Sequence, residues 1–291
     1  MHSQWLQYVA GGLTVGAIYA LVALGFSIIY NASGAINFAQ GEFVMIGGMS
    51  AVTLVGAGLP LGAALPLAIL AAVAVGLLLE KLAIEPARHA DTVTLIIITI
   101  GASLLLRGIA QVIWDKRVHS LPAFSGDAPL RLMGATLLPQ SLWVLGGAAL
   151  AVAALSWFFG RTLFGKAMLA TSYNPLAARL VGINTRAVLF ASFGLAAMLG
   201  GLGGVLIAPI AFTSFDAGVM LGLKGFAAAM LGGMGSPFGA ILGGLLLGLF
   251  ESFSAGYLSS AYKDAVAFLT ILVVLFLMPS GLVGRRAVER V

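Results

Sequence analysis

Three polar residues close together near the start of the chain, Asn37, Gln40 and Glu42, stand just before or within an apolar run that carries no further charge from 43 to 79. A carboxylate at mid-membrane costs roughly 2.5–3.5 kcal/mol on insertion scales, so an acid there should face an interior or a water-filled route. Gly34 and Gly41 allow the backbone to open at that point. On a helix Phe38 and Glu42 share a face, with Asn37 and Gln40 beside them, so the polar groups need not all point one way. Arg107, Lys224 and Glu251 are the other charges inside or bordering apolar runs, and each is a candidate partner for Glu42. The competing reading makes Glu42 a structural staple between helices.

A second concentration of polar chemistry is Arg161 to Asn184, RTLFGKAMLATSYNPLAARLVGIN. Asn174 and Pro175 predict a helix start, because Asn caps and Pro suits the first turn. Leu176, Leu180 and Ile183 then recur on one face, and Gly182 ends the helix. A two-turn amphipathic helix made basic by Arg179 has the shape that docks a partner. A loop resting on the membrane interface is the blander reading.

Other motifs fail on inspection. Gly160 to Ala167 matches G-x-x-x-x-G-K but places Ala where the Mg²⁺-binding hydroxyl belongs, and it follows Trp157-Phe158-Phe159 rather than a strand. No ATP site of the chain's own is expected, and no G-x-S-x-G or H-E-x-x-H occurs. Cysteine is absent, and His2, His89 and His119 are too far apart for a local metal site, so no metal, cofactor or catalytic residue is expected. The 15 Lys and Arg residues are scattered in short loops, which reports membrane orientation rather than nucleic-acid binding.

The elements that must position these residues follow from composition. Of 291 residues 60% are apolar before the 39 glycines are counted, and only 9% are charged. The stretches 43–79, 132–160, 187–215, 225–250 and 265–284 have no charge at all. A span takes about 20 apolar residues, so spans and short loops use up the length and leave no soluble catalytic domain. We read a single all-α integral membrane unit over 1–291, a bundle of eight or nine helices near 6–30, 38–57, 62–84, 92–113, 141–160, 188–209, 219–234, 238–256 and 263–279. Gly232, Gly233, Gly235 and Pro237 make 219–256 a broken or re-entrant element, and 38–57 is either a crossing or a half-helix. The basic loop 161–186 and the tail with Arg285, Arg286 and Arg290 should both be cytoplasmic. Gly12 and Gly16, with Gly235, Gly239, Gly243, Gly244 and Gly248, recur at about one-turn spacing and predict closely packed helix faces.

At four segments the chain resembles the LivH-type permeases of branched-chain amino-acid ABC importers: GLTVGAIYALVALGFSIIYNASGAINFAQGEFVMIGG at 12–48, NPLAARLVGIN at 174–184, LKGFAAAMLGGMGSPFGAILGGLLLGLFES at 223–252 and PSGLVGRRAVERV at 279–291. The resemblance implies an inner-membrane subunit that pairs with a second, related permease and sits on two cytoplasmic ATP-binding subunits. It also implies that a periplasmic solute-binding protein delivers the amino-acid substrate. Gln40 stands where some members carry His. Under this resemblance Asn37, Gln40 and Glu42 become the transport route. Asn174, Pro175, Arg179, Gly182 and Asn184 become the ATPase-coupling segment. Related permeases serve urea, amides and other amino acids. The rival class is an ion-gradient-driven transporter or channel using Glu42 as a carrier, and a purely structural membrane scaffold is a third reading.

Overall fold

The computed structural model describes residues 2–126, 128–132 and 135–284. Where water is absent, a chain must satisfy its own backbone N–H and C=O groups, and a helix does so within one segment. Each apolar run accordingly is helical. The first five are α1 (His2–Ser33), α2 (Gln40–Gly56), α3 (Leu61–Leu79), α4 (Thr92–Trp114) and α5 (Pro139–Arg161). The polar interlude folds into two short helices rather than one, α6 (Leu163–Tyr173) and α7 (Pro175–Leu180). The remainder are α8 (Thr185–Ala211), α9 (Ala217–Gly232), α10 (Pro237–Tyr257) and α11 (Lys263–Leu277).

Six helices among the described residues are long and apolar enough to cross a membrane by themselves: Gln4–Ser33, Leu61–Ile84, Thr92–Trp114, Pro139–Arg161, Thr185–Ala211 and Pro237–Tyr257. The helices α2, α9 and α11 have 17, 16 and 15 residues. At 1.5 Å per residue they reach only about 22–26 Å against a hydrocarbon core of about 30 Å. Within 219–256 the helices α9 and α10 are separate and joined by 233–236, where Gly233 and Gly235 have φ of +106° and +86°. The tail arginines Arg285, Arg286 and Arg290 lie outside the described residues.

Helix α1 forms the middle of the bundle and runs antiparallel to α10. Ser252 Oγ donates to the Tyr8 carbonyl at 2.7 Å near one end, and Asn31 Nδ2 donates to the Gly235 carbonyl at 2.8 Å near the other. Glycine makes this closeness possible, since a Cβ on Gly16 would stand 2.9 Å from the Gly244 oxygen. At the Tyr8 end a small hairpin, β1 (Leu130–Leu132) and β2 (Ala135–Leu137), pairs antiparallel with Leu130 opposite Leu137. Gln7 exchanges two 2.8 Å bonds with the Thr136 backbone and ties α1 to it. At the Asn31 end lies the turn 233–236. Leu282 N and Val283 N donate to the last carbonyls of α9, Leu231 O at 2.9 Å and Gly232 O at 3.0 Å.

Two departures from ideal helix matter below. Between α1 and α2 the chain turns at Gly34, φ +70°, and passes through 35–39 before α2 begins, with Phe38 N donating to Thr99 Oγ1 at 3.1 Å. Helix α3 ends in a π-helical stretch, Glu80–Ile84.

Candidate functional site

The start of α2 packs beside the middle of α4, where Ser103 and Arg107 stand one turn apart on the same face. Both reach Glu42, which is 1% exposed. Ser103 Oγ donates to Glu42 Oε1 at 2.7 Å and Arg107 Nε to the same oxygen at 3.3 Å. Arg107 Nη2 also donates to Ser103 Oγ at 3.1 Å, which closes a three-membered network. The other carboxylate oxygen, Oε2, has no hydrogen-bond partner among the described residues.

These three side chains lie along a cavity of about 160 Å³ whose remaining wall is apolar, with Phe26, Phe38, Ile100, Leu223 and Phe226 on it. Gly218 and Gly222 of α9 complete it. The volume is below the roughly 300–1,000 Å³ typical of drug-sized ligands, and suits one small solute. An apolar wall with a free carboxylate oxygen and a half-buried guanidinium offers complementary positions for an ammonium, a carboxylate and a greasy side chain.

Of the three residues singled out near the N-terminus, only Glu42 lies on that cavity. Gln40 points elsewhere: its Nε2 donates to the Ala196 carbonyl of α8 at 2.9 Å. Asn37 folds back locally, its Oδ1 accepting from Ala39 N at 3.1 Å. Gln40 Oε1 and Asn37 Nδ2 are buried with no hydrogen-bond partner among the described residues. The structure therefore brings Glu42 to Ser103 and Arg107 rather than to its polar neighbours in sequence.

Lys224 and Glu251, the other partners considered for Glu42, belong to a separate cluster. Lys224 Nζ lies 2.8 Å from Glu251 Oε1 and 2.6 Å from Asp264 Oδ1. Tyr19 donates from its hydroxyl to Glu251 Oε2 at 2.6 Å, and Lys224 sits 5.5 Å from the Tyr19 ring centre. Four helices thus meet at one buried charge cluster. Ser103, Tyr19 and Asp264 carry no local motif, so sequence spacing offered no signal for them.

The segment 174–184 follows its sequence pattern closely. Asn174 Oδ1 accepts from Ala177 N at 3.0 Å as the cap of α7, and Pro175 occupies the first turn. Gly182 has φ +88°, and Asn184 Oδ1 caps α8 by accepting from Arg186 N at 3.1 Å and Ala187 N at 3.2 Å. Arg179 Nε donates to Thr185 Oγ1 at 2.9 Å, fastening α7 to the first turn of α8. Leu176 and Leu180 are 68% and 81% exposed, whereas Ile183 turns inward and packs on the core. Nearby, Glu85 pairs with Lys81 at 2.6 Å, and that bond holds its carboxyl below the usual carboxylate range.

Comparison with known proteins gives one family. Residues 8–275 match the family described as branched-chain amino acid transport system / permease component. The high-affinity branched-chain amino acid transport system permease protein LivH of Escherichia coli K12 is 34% identical, covering 99% of this chain and 98% of its own. BraD, named likewise, from Pseudomonas aeruginosa is 32% identical at the same coverage. The autoinducer 2 import system permease protein LsrC of E. coli is 32% identical over 62% of this chain and 54% of its own. Among solved structures, PsaBC from Streptococcus pneumoniae in complex with Fab matches with a TM-score of 0.55 at 13% identity, covering 96% of this chain and 97% of that one. That likeness is one of fold.

Proposed function

The chain belongs to the permease-component family of branched-chain amino acid transport systems and is a membrane permease subunit of an ABC importer; from that premise we propose how its parts divide the work. Glu42, Ser103 and Arg107 line the passage for substrate, and the exposed face of α7 receives a cytoplasmic ATP-binding subunit. The full machine is this subunit with a second, related permease, two ATP-binding subunits and a periplasmic binding protein, in the inner membrane. The substrate is a branched-chain amino acid, in keeping with the names of relatives that match along nearly the whole chain.

The observation that carries the passage is the free Oε2 of Glu42 on an apolar cavity with Arg107 beside it. A charge in the membrane that is only partly satisfied by its protein neighbours marks a solute route rather than a rivet. Asn37 and Gln40 then belong to the opened backbone between α1 and α2, shaping the route without lining that cavity.

A nine-crossing path is the reading that best joins the helices. The α1 N-terminus, the hairpin and the start of α11 share the outer end, while α7, the turn 233–236 and residues 280–284 share the inner end. On this reading the N-terminus is outside and the C-terminus in the cytoplasm.

Reconstitution tests the division of work. Vesicles holding this chain alone should show neither leucine uptake nor ATP hydrolysis, and vesicles with all partners should show both. Gradient-driven uptake by the lone chain would establish the rival, an ion-coupled transporter.

A further inference from the structure

Beside the coupling segment, a groove of about 710 Å³ runs between the end of α3 and the start of α8. One end is apolar, with Ala74, Leu77, Leu78 and Phe190, and the other holds Glu80, Lys81, Glu85 and Arg186. Glu80 is 3% exposed and makes no hydrogen bond or ion pair with the described residues through its side chain. It opens the π-helical stretch, a local widening that recurs at functional positions in helices.

The charges at the polar end sort themselves. Lys81 and Glu85 neutralise each other at 2.6 Å. Glu80 is the carboxylate of this group with no side-chain hydrogen bond or ion pair, and Arg186, whose guanidinium makes no hydrogen bond among the described residues, faces Glu85 only through longer-range charge. The apolar end climbs back along α3 toward the membrane interior through Leu78, which is exposed on the helix surface, to Ala74. A ligand matched to this groove carries one primary ammonium and one phosphate at the membrane interface, with apolar chains running inward.

We propose that this groove is a binding site for an aminophospholipid, its ammonium donating to Glu80 and its phosphate accepting from Arg186. An ammonium with three N–H donors satisfies the buried carboxylate, whereas a quaternary choline has none to offer. A lipid lacking the amine places no cation at Glu80. The lipid would bridge α3 and α8 one residue from Thr185, which holds Arg179 of α7, so occupancy bears directly on the coupling helix.

The test is native mass spectrometry of the full-length chain in mild detergent, titrated with dioleoyl phosphatidylethanolamine, its N-monomethyl and N,N-dimethyl forms, phosphatidylcholine and phosphatidylglycerol. Affinity should fall with each added methyl, to roughly tenfold between the two ends of the series, or about 1.4 kcal/mol. Glu80→Gln should flatten the series. Arg186→Gln should weaken every phospholipid alike. Equal retention of the primary amine and choline lipids by the native chain overturns the proposal, and that comparison needs no variant to fold. A flat series in the native chain, together with displacement of bound lipid by free leucine, overturns it in favour of a soluble zwitterion. A Glu80→Gln chain that keeps its thermal transition and the full methyl dependence overturns the role of Glu80.

Discussion

Lys224 of α9 and Glu251 of α10 meet at 2.8 Å inside the bundle, fastening together the two arms on either side of the 233–236 turn. Lys224 has two acids to answer, Glu251 and Asp264. Breaking a buried pair from one side costs about 3–5 kcal/mol, because the stranded charge remains. Lys224→Met strands Asp264 and leaves Glu251 only Lys263 at 3.6 Å and the Tyr19 hydroxyl, and should lower the thermal transition of the purified chain far more than Asp264→Asn, which leaves Lys224 its Glu251 partner. Equal losses from the two changes would show that Lys224 is not the centre of the cluster.

Glu42→Gln keeps the shape of the side chain and the Ser103 bond while removing the charge. The assembled complex should form in normal amount and hydrolyse ATP, with substrate uptake reduced at least about tenfold, equivalent to roughly 1.4 kcal/mol. A staple would behave oppositely: less complex, and normal uptake by what remains. Normal uptake at normal abundance rejects both roles.

On α7 the apolar positions should matter more than the charged one. Exposed charge pairs contribute roughly 0.2–1 kcal/mol, whereas burying a leucine contributes roughly 1.5–3 kcal/mol. Leu180→Asp should therefore weaken capture of the ATP-binding subunit more than Arg179→Glu. The native sequence has no cysteine, so single cysteines give a clean readout. Positions 176 and 180 should cross-link to that subunit and the buried position 178 should not; cross-links confined to 178 would reject the docking face.

The α1 and α10 contact rests on absent side chains. Gly16→Leu drives a large group into the Gly244 and Leu245 backbone, where even a Cβ stands at 2.9 Å. Overpacking of this kind costs typically about 1–3 kcal/mol. Gly62→Leu, on α3 where a Cβ meets open space, is the control and should melt like the native chain. Equal melting of Gly16→Leu would mean that the two helices do not need their close approach.

Helix existence was legible because charge-free runs separated by prolines, glycines and charges have one stable state in lipid. The cap at Asn174 and the turn at Gly182 were legible for a local reason: each acts within four residues. Partnership across the bundle was not. Glu42 had three candidate partners by composition, and only the packing of α4 against α2 selects Arg107. Tyr19, Lys224, Glu251 and Asp264 come from four helices, so no window along the chain holds them together. The side chains of Asn37, Gln40 and Glu42 part company because the chain enters α2 between them. Each residue beyond that point turns by about 100°.

The last helical carbonyls of α9, at Leu231 and Gly232, find their donors in Leu282 and Val283, about fifty residues further along. Synthesis runs from the N-terminus at roughly 5–20 residues per second, so for several seconds after α9 is made those carbonyls have no partner from the tail. The 233–236 end of the α9–α10 pair is therefore the last part of the bundle to be closed. A nascent chain arrested before 282 would carry an α9–α10 pair that is inserted yet unlatched, open to insertion chaperones and to membrane proteases alike.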